Sequence, residues 1–385
     1  MSAPTATEKA VQERYAAAAA SREQALCCPV DYNQELLKII PEEVIAKDYG
    51  CGDPSRFLKP GERVLDLGSG TGKICFIAAQ VVGKSGSVIG VDMTDDMLEV
   101  ARRNQPIVAE RLGYANVEFR KGRIQDLALD LEYLDQELSS KPINGSNAFL
   151  AANEFAEECR QTNPLIPDQS VDVVVSNCVL NLVDPKAKRD LFLEIYRVCR
   201  VGGRAVISDI VSDEPVPATL QADPELWSGC ISGALTESGF LQAFAEAGFQ
   251  GIEILKRDPE PWQTVEGIEF FSVTVQAHRL PEGEEQDLNQ AAIYLGPFQK
   301  VMDDQGRWFE RGERHAISSL QFEQYQQPPY ADHFAIISPK AKPSEATAFN
   351  AVPGQRRSSR ESKGINFKLT TAASDCCTPG PTDCC

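Results

Sequence analysis

Three cysteines stand singly in separate motifs. Cys51 lies in Tyr49-Gly50-Cys51-Gly52, Cys178 in Ser176-Asn177-Cys178-Val179-Leu180-Asn181-Leu182, and Cys230 in Trp227-Ser228-Gly229-Cys230-Ile231-Ser232-Gly233-Ala234-Leu235. Between the first two runs Val64-Leu65-Asp66-Leu67-Gly68-Ser69-Gly70-Thr71-Gly72. Thiolates are soft ligands and strong nucleophiles, so thiols brought together suit a soft, thiophilic atom. A glycine loop lets backbone approach a ligand, and a helix opening behind it offers free N–H donors. The chemistry implied is a substrate held by sulfur beside a nucleotide-type ligand.

Such a site needs distant segments to converge, and the hydrophobic pattern supplies a scaffold. Arg63–Leu67, Ser87–Asp92, Val117–Lys121, Val171–Asn177 and 203–209 read as short strands, with helices over 72–82, 94–105 and 186–199 between them. This alternation predicts an α/β, doubly wound sheet of Rossmann-like type. The fourth strand is an almost unbroken apolar run, suited to a buried parallel position. Ahead of the sheet, 8–26 reads as an alanine-rich helix and 35–48 as a helical stretch restarting at Pro41. Residues 130–169 form an insertion too long for an ordinary connection, either a helical lid or surface decoration. Residues 224–247 read as helical, with Gly248 as the stop and Phe249 able to pack back on Phe240 and Phe244.

The glycine spacing is Gly-x-Gly-x-Gly with Asp66 ahead of it, not the Gly-x-Gly-x-x-Gly of dinucleotide sites. It resembles motif I of the class I S-adenosylmethionine-dependent methyltransferases. The resemblance implies that Asp66, Gly68, Ser69, Gly70 and Gly72 hold the methionine part of S-adenosyl-L-methionine. Asp92, ending the second strand, would take the ribose hydroxyls, with Met93 and Ile124 beside the adenine.

Within that superfamily, the three cysteine motifs and their order around the loop resemble the arsenite methyltransferases, over roughly residues 26–280. The resemblance implies that Cys51, Cys178 and Cys230 ligate arsenic(III). Tyr49 and Asn177 would lie near the methyl donor, and Cys27 or Cys28 would serve thiol exchange. Arsenic bound by three sulfurs keeps a lone pair, which can attack the sulfonium methyl once aligned. Cys51 and Cys178 could then return electrons to arsenic by closing a disulfide, reset by thioredoxin or glutathione. The expected substrate is arsenite or its glutathione conjugate. Two other functions fit less of the pattern: a methyltransferase of the same fold acting on a quinone, sterol or thiol, and a non-catalytic metalloid-binding protein.

Other cysteines get plainer readings. Cys75, Cys159 and Cys199 read as small buried apolar residues. Cys376-Cys377 and Cys384-Cys385 lie in the last stretch, where metalloid capture and an idle tail stay open. No Cys-x-x-Cys spacing supports a zinc site. His278, His315 and His333 have no ligand spacing, and Asp184, Asp209 and Asp213 read as solvated loop acids.

The 385 residues are enough for two or three domains. The expected division is an N-terminal segment over 1–60, a donor-binding domain over 61–213, an arsenic-binding region over 214–280, a small α+β, strand-rich domain over 281–340, and a disordered tail over 341–385. The net charge of −18 disfavours a nucleic-acid partner. With no apolar run of about eighteen residues, no membrane partner is expected. The first residues lack a secretory pattern, and the thiol-rich composition then suits a reducing, cytoplasmic setting.

Overall fold

A computed structural model describes residues 6–20, 30–47, 49–340 and 346–371. The chain divides into two compact units, Met1–Leu280 and Pro281–Cys385.

The first unit is built on one sheet. Its strands are β1 (Arg63–Leu67), β2 (Ser87–Asp92), β3 (Val117–Lys121), β4 (Val171–Asn177), β5 (Cys199–Ser212), β6 (Leu235–Thr236), β7 (Gln250–Arg257), β8 (Gln263–Val265) and β9 (Ile268–His278). The main order is β3-β2-β1-β4-β5-β9-β7. Strands β1 to β5 pair in parallel, whereas β9 lies antiparallel between β5 and β7. Strand order reverses between β1 and β4, which leaves a crevice outside their carboxyl ends, the usual place for a ligand in such sheets.

Both faces are covered because the strand side chains alternate. Val173 and Val175 of β4 join the core under helices Lys73–Val82 and Asp95–Leu112, with Phe76, Leu98 and Val108. Val174 between them joins the opposite core, with Phe192, Phe240 and Phe244 of helices Lys188–Val198 and Glu237–Ala247. Gly248 ends the last helix at φ 107, and Phe249 packs edge-on to Phe244.

Three local expectations change. Helix Asp95–Leu112 runs through Pro106 rather than stopping at 105. One lost hydrogen bond there is outweighed by a continuous buried face of Val100, Ala101, Asn104 and Val108. Residues 224–247 are not one helix: Pro224–Ser228 ends, a turn carries Cys230, and Glu237–Ala247 starts anew with Thr236 as its N-cap. Gly233 enforces the break, since a Cβ there would lie 1.9 Å from the Asn181 carbonyl oxygen. The insertion forms helices Leu131–Ser140 and Ser146–Thr162, packed on their own cluster of Leu134, Ala156 and Cys159 and tied back by Arg160 to Asp126 at 2.8 Å. Neither helix reaches the cavity described below, which favours decoration over a lid.

In the second unit, Ala291–Tyr294 pairs antiparallel with Arg314–Ala316 and Phe334–Ile337 around Tyr294, Phe309, Tyr325 and Phe334. The expectation of a disordered tail from 341 is corrected for 346–371. Thr347–Ala348 pairs with Gln286–Asp287, and the buried Arg357 donates to Asp287 at 2.7 Å and Asn289 at 3.0 Å. A polar, serine-rich composition hid these long-range partners. Cys376, Cys377, Cys384 and Cys385 lie outside the described residues. Among the described residues, no helix is long and apolar enough to cross a membrane.

Candidate active site

The crevice at the β1/β4 switch holds a cavity walled by the glycine loop, the end of β2 and the end of β4. Its floor is the glycine loop after β1. The N–H groups of Gly68 and Ser69 donate to Val91 O at 2.8 and 3.0 Å. Gly68 has φ 67, and a Cβ there would sit 2.4 Å from Val179, so only glycine fits. Gly70 N donates to Asp92 Oδ2 at 2.9 Å, and Thr94 N donates to Asp92 Oδ1 at 2.8 Å. Burial pushes the Asp92 carboxyl up from its ordinary value against these backbone bonds. Asp66 accepts from the Cys75 thiol at 3.1 Å. Ser69 Oγ is buried at the cavity wall with no hydrogen-bond partner.

Tyr49, Asp66, Gly68, Ser69, Gly70, Asp92, Met93, Ile124 and Asn177 all line this cavity. Gly72 does not. It starts the helix at φ 91 and faces Phe119, 2.6 Å from where its Cβ would be.

Cys178 lines the same cavity, and the other two thiols meet it from separate elements. Asn177, the last residue of β4, accepts at Oδ1 from the N–H groups of Cys51 and Gly52, both at 3.0 Å. Gly50 lies so close that a Cβ would fall 2.2 Å from the Asn177 amide. Ser272 of β9 donates to Cys51 O at 2.6 Å. One residue past β4, Cys178 has φ 63 and donates its N–H to Ser208 O at 2.8 Å. Cys230 has φ 64, and its carbonyl accepts from Asn181 Nδ2 at 3.3 Å. Trp227 anchors that turn by donating to Leu182 O at 3.2 Å. The Cys230 thiol donates to Cys178 O at 3.0 Å.

The three residues share one buried apolar cluster with Trp227, Ile231 and Phe270. The Cys178 thiol interacts with those of both Cys51 and Cys230. The ligand atoms of Cys51, Cys178 and Asp209 lie within 4.8 Å of one another. The Cys178 thiol is lowered by its hydrogen bond with Cys230, but the Cys51 bond, burial and nearby negative charge prevail and hold it well above its ordinary value. The hydrogen bond to Cys178, then burial, raises the Cys230 thiol likewise. Both shifts favour the protonated thiol at Cys178 and Cys230.

Asp209 corrects the sequence reading. It lies inside β5, fully buried, and is not a solvated loop acid. It accepts the N–H groups of Leu180 at 2.9 Å and Ile210 at 2.7 Å. Burial pushes its carboxyl up to about 6. The buried Lys188, brought down to about 8 by burial, bonds Gly233 O beside it. A carboxylate at a strand end looks alike in sequence whether buried or wet, so nothing local marked it.

The helix expected over 8–26 is described as Ala6–Ala20, but its place at the cavity was missed. Tyr15 lines the cavity, stands edge-on to Tyr49 at 6.1 Å and interacts with the Cys230 thiol. Arg14 fixes the helix by donating to Ser228 Oγ at 2.8 Å and Glu225 O at 2.9 Å. Its alanine-rich run gave no amphipathic signal. Cys27 and Cys28 lie outside the described residues. Cys75 and Cys199 are fully buried in the two sheet cores.

The methyltransferase domain family matches residues 58–248, and a domain of unknown function matches 281–367. An arsenite methyltransferase of Aquipseudomonas alcaligenes is 32% identical over 328 residues, 81% of this chain and 84% of that protein. One from Halobacterium salinarum is 40% identical over 225 residues, 58% of this chain, so the match spans only 45% of that relative's length. Among solved structures, an arsenic (III) S-adenosylmethionine methyltransferase from Chlamydomonas reinhardtii aligns with a TM-score of 0.53 at 27% identity, covering 86% of this chain and 100% of that one.

Proposed function

The chain belongs to the arsenite methyltransferase family, and from that membership we propose that it methylates trivalent arsenic held by Cys51, Cys178 and Cys230, using S-adenosyl-L-methionine. The observation that carries this reading is that Cys178, at the cavity wall, meets Cys51 and Cys230 from distant segments in one buried cluster. That cavity suits the donor. It has acids at Asp66 and Asp92, a backbone too close at Gly68 to admit a side chain, and an orphaned buried hydroxyl at Ser69.

When bound, the donor supplies an electrophilic methyl on a sulfonium. Everything else falls to the chain. Each cysteine that exchanges onto arsenite forms one S–As bond and breaks one As–O bond, its thiol proton leaving with the hydroxide as water. Arsenic keeps its lone pair, so no protein base is needed at that atom. Asn177 fixes Cys51 and, as the residue before Cys178, couples both to the end of β4. The apolar surroundings of Trp227, Ile231 and Phe270 keep water from the reacting pair.

Transfer leaves arsenic pentavalent. Return to the trivalent state breaks two S–As bonds and forms one S–S bond between Cys51 and Cys178. The two electrons stay on arsenic, whose freed position takes hydroxide from water. Their ligand atoms are near enough for this closure after a small movement. Glutathione or thioredoxin then reduces the disulfide, and arsenite or its glutathione conjugate begins the next cycle. A reducing compartment such as the cytoplasm keeps the thiols ready.

The test is arsenic speciation after incubating purified protein with S-adenosylmethionine, a thiol reductant and arsenite. Wild type should yield methylated arsenicals, and Cys178→Ser or Cys230→Ser should lower the yield at least about a hundredfold through lost soft ligation and alignment. Undiminished product from both variants would refute thiol-held transfer.

A further inference from the structure

The methionine end of the donor carries an ammonium and a carboxylate, and the cavity is unequally supplied for them. Asp66 and Asp92 offer negative charge. Among the described residues lining the cavity, Lys47 is the one lysine or arginine. It follows helix Glu42–Ala46, which rests on the glycine loop: Thr71, itself a lining residue, donates from Oγ1 to Val44 O at 3.3 Å. The lysine is thereby carried to the loop end of the cavity.

Its side chain is mostly buried and pairs with Glu43 at 3.0 Å. Glu43 does not depend on that pair alone. Arg103 bonds the same carboxylate, and Asn104 Nδ2 donates to it at 3.3 Å. An ammonium has three donors, so Lys47 can keep Glu43 and still offer a proton to a ligand. If it turned fully, Arg103 would leave Glu43 compensated.

We propose that Lys47 binds the carboxylate of the donor's methionine part, opposite Asp66, which takes the ammonium. This rests on the methyl-donor reading above. It makes Lys47 a determinant of donor selectivity: the site distinguishes an amino-acid-bearing nucleoside from a bare nucleoside thioether.

Calorimetric titration of the full chain tests this with two probes. S-adenosylhomocysteine carries the amino-acid end, and 5′-methylthioadenosine lacks it. Lys47→Met should weaken S-adenosylhomocysteine roughly ten- to a hundredfold, as loss of a charge-assisted hydrogen bond does, and change methylthioadenosine by less than about twofold. Lys47→Arg should keep most of the affinity. In wild type, the methyl ester of S-adenosylhomocysteine should bind about as weakly as the free acid binds Lys47→Met, an arm that needs no variant to fold. Equal weakening of both probes, or an ester that binds wild type as tightly as the acid, would overturn the assignment. If wild type binds neither probe, the methyl-donor reading itself falls, a different outcome from failure of Lys47 alone.

Discussion

The thiol of Cys230 donates a hydrogen bond to the backbone carbonyl of Cys178, 3.0 Å away and 52 residues earlier in the chain. Both residues have left-handed backbones, φ 64 and φ 63. For a non-glycine residue this conformation costs about 1–2 kcal/mol. Two strained positions facing each other in one buried cluster mark a place where geometry is kept at the expense of stability.

That strain separates stability from function. Cys230→Gly should melt above Cys230→Val, because a β-branched residue tolerates positive φ worst, with a gap of about 2 kcal/mol. Both variants should lose arsenic methylation. Thermal melting beside arsenic speciation checks this, and a valine variant as stable as the glycine one would argue against strain.

Asp209 holds negative charge near the thiols and helps to keep both Cys178 and Cys230 protonated. Replacing it with asparagine should lower their apparent pKa. Alkylation by iodoacetamide at neutral pH should then quicken about tenfold, which is one pKa unit in thiolate fraction. Mass-spectrometric labelling rates across pH would show the profile shifted to lower pH. An unshifted profile would mean the carboxylate does not act on the thiols.

Gly68→Ala should damage donor binding and stability together. The new Cβ meets Val179 at 2.4 Å, and φ 67 already disfavours a side chain. A loss of about 2–3 kcal/mol in unfolding free energy is expected. Adding Val179→Ala removes the clash but not the backbone strain, so denaturant melts should recover only part of the loss.

Asp172 supplies an acid-sensitive contribution. Burial raises its carboxyl, but hydrogen bonds from Arg63 and Arg200 prevail and bring it from 3.8 to about 2. A depressed acid stabilises the fold above its unfolded value, and that stability is lost as pH falls from about 4 toward about 2. Partial exposure limits the effect to about 1 kcal/mol. Asp172→Asn should be less stable than wild type at neutral pH, and the two should converge in acid melts.

Much was legible before the fold. Strands β1, β2 and β4 read directly from short apolar runs, because parallel strands covered on both faces need them, whereas the edge strand β3 carries Glu118, Arg120 and Lys121. The loop around Gly68 and Gly70 was visible because left-handed and close-packed backbone demands glycine. The cysteine motifs were visible because their local sequences are distinctive. In contrast, the break at Gly233 depends on the carbonyl of Asn181, and the order in 346–371 depends on Asp287 and Asn289. No local window contains such partners.

Residue types and their order along the chain determined that thiols and a glycine loop belong to one α/β sheet. Tertiary structure alone decided which groups join them. Asp209 became a buried neighbour of the thiols, Tyr15 a cover over Cys230, and Lys47 a cation at the cavity wall, while Gly72 turned away. The reason is that burial and charge proximity are set by segments folded together across the crevice, and the cost of an ionised or strained group depends on those neighbours rather than on the residue itself.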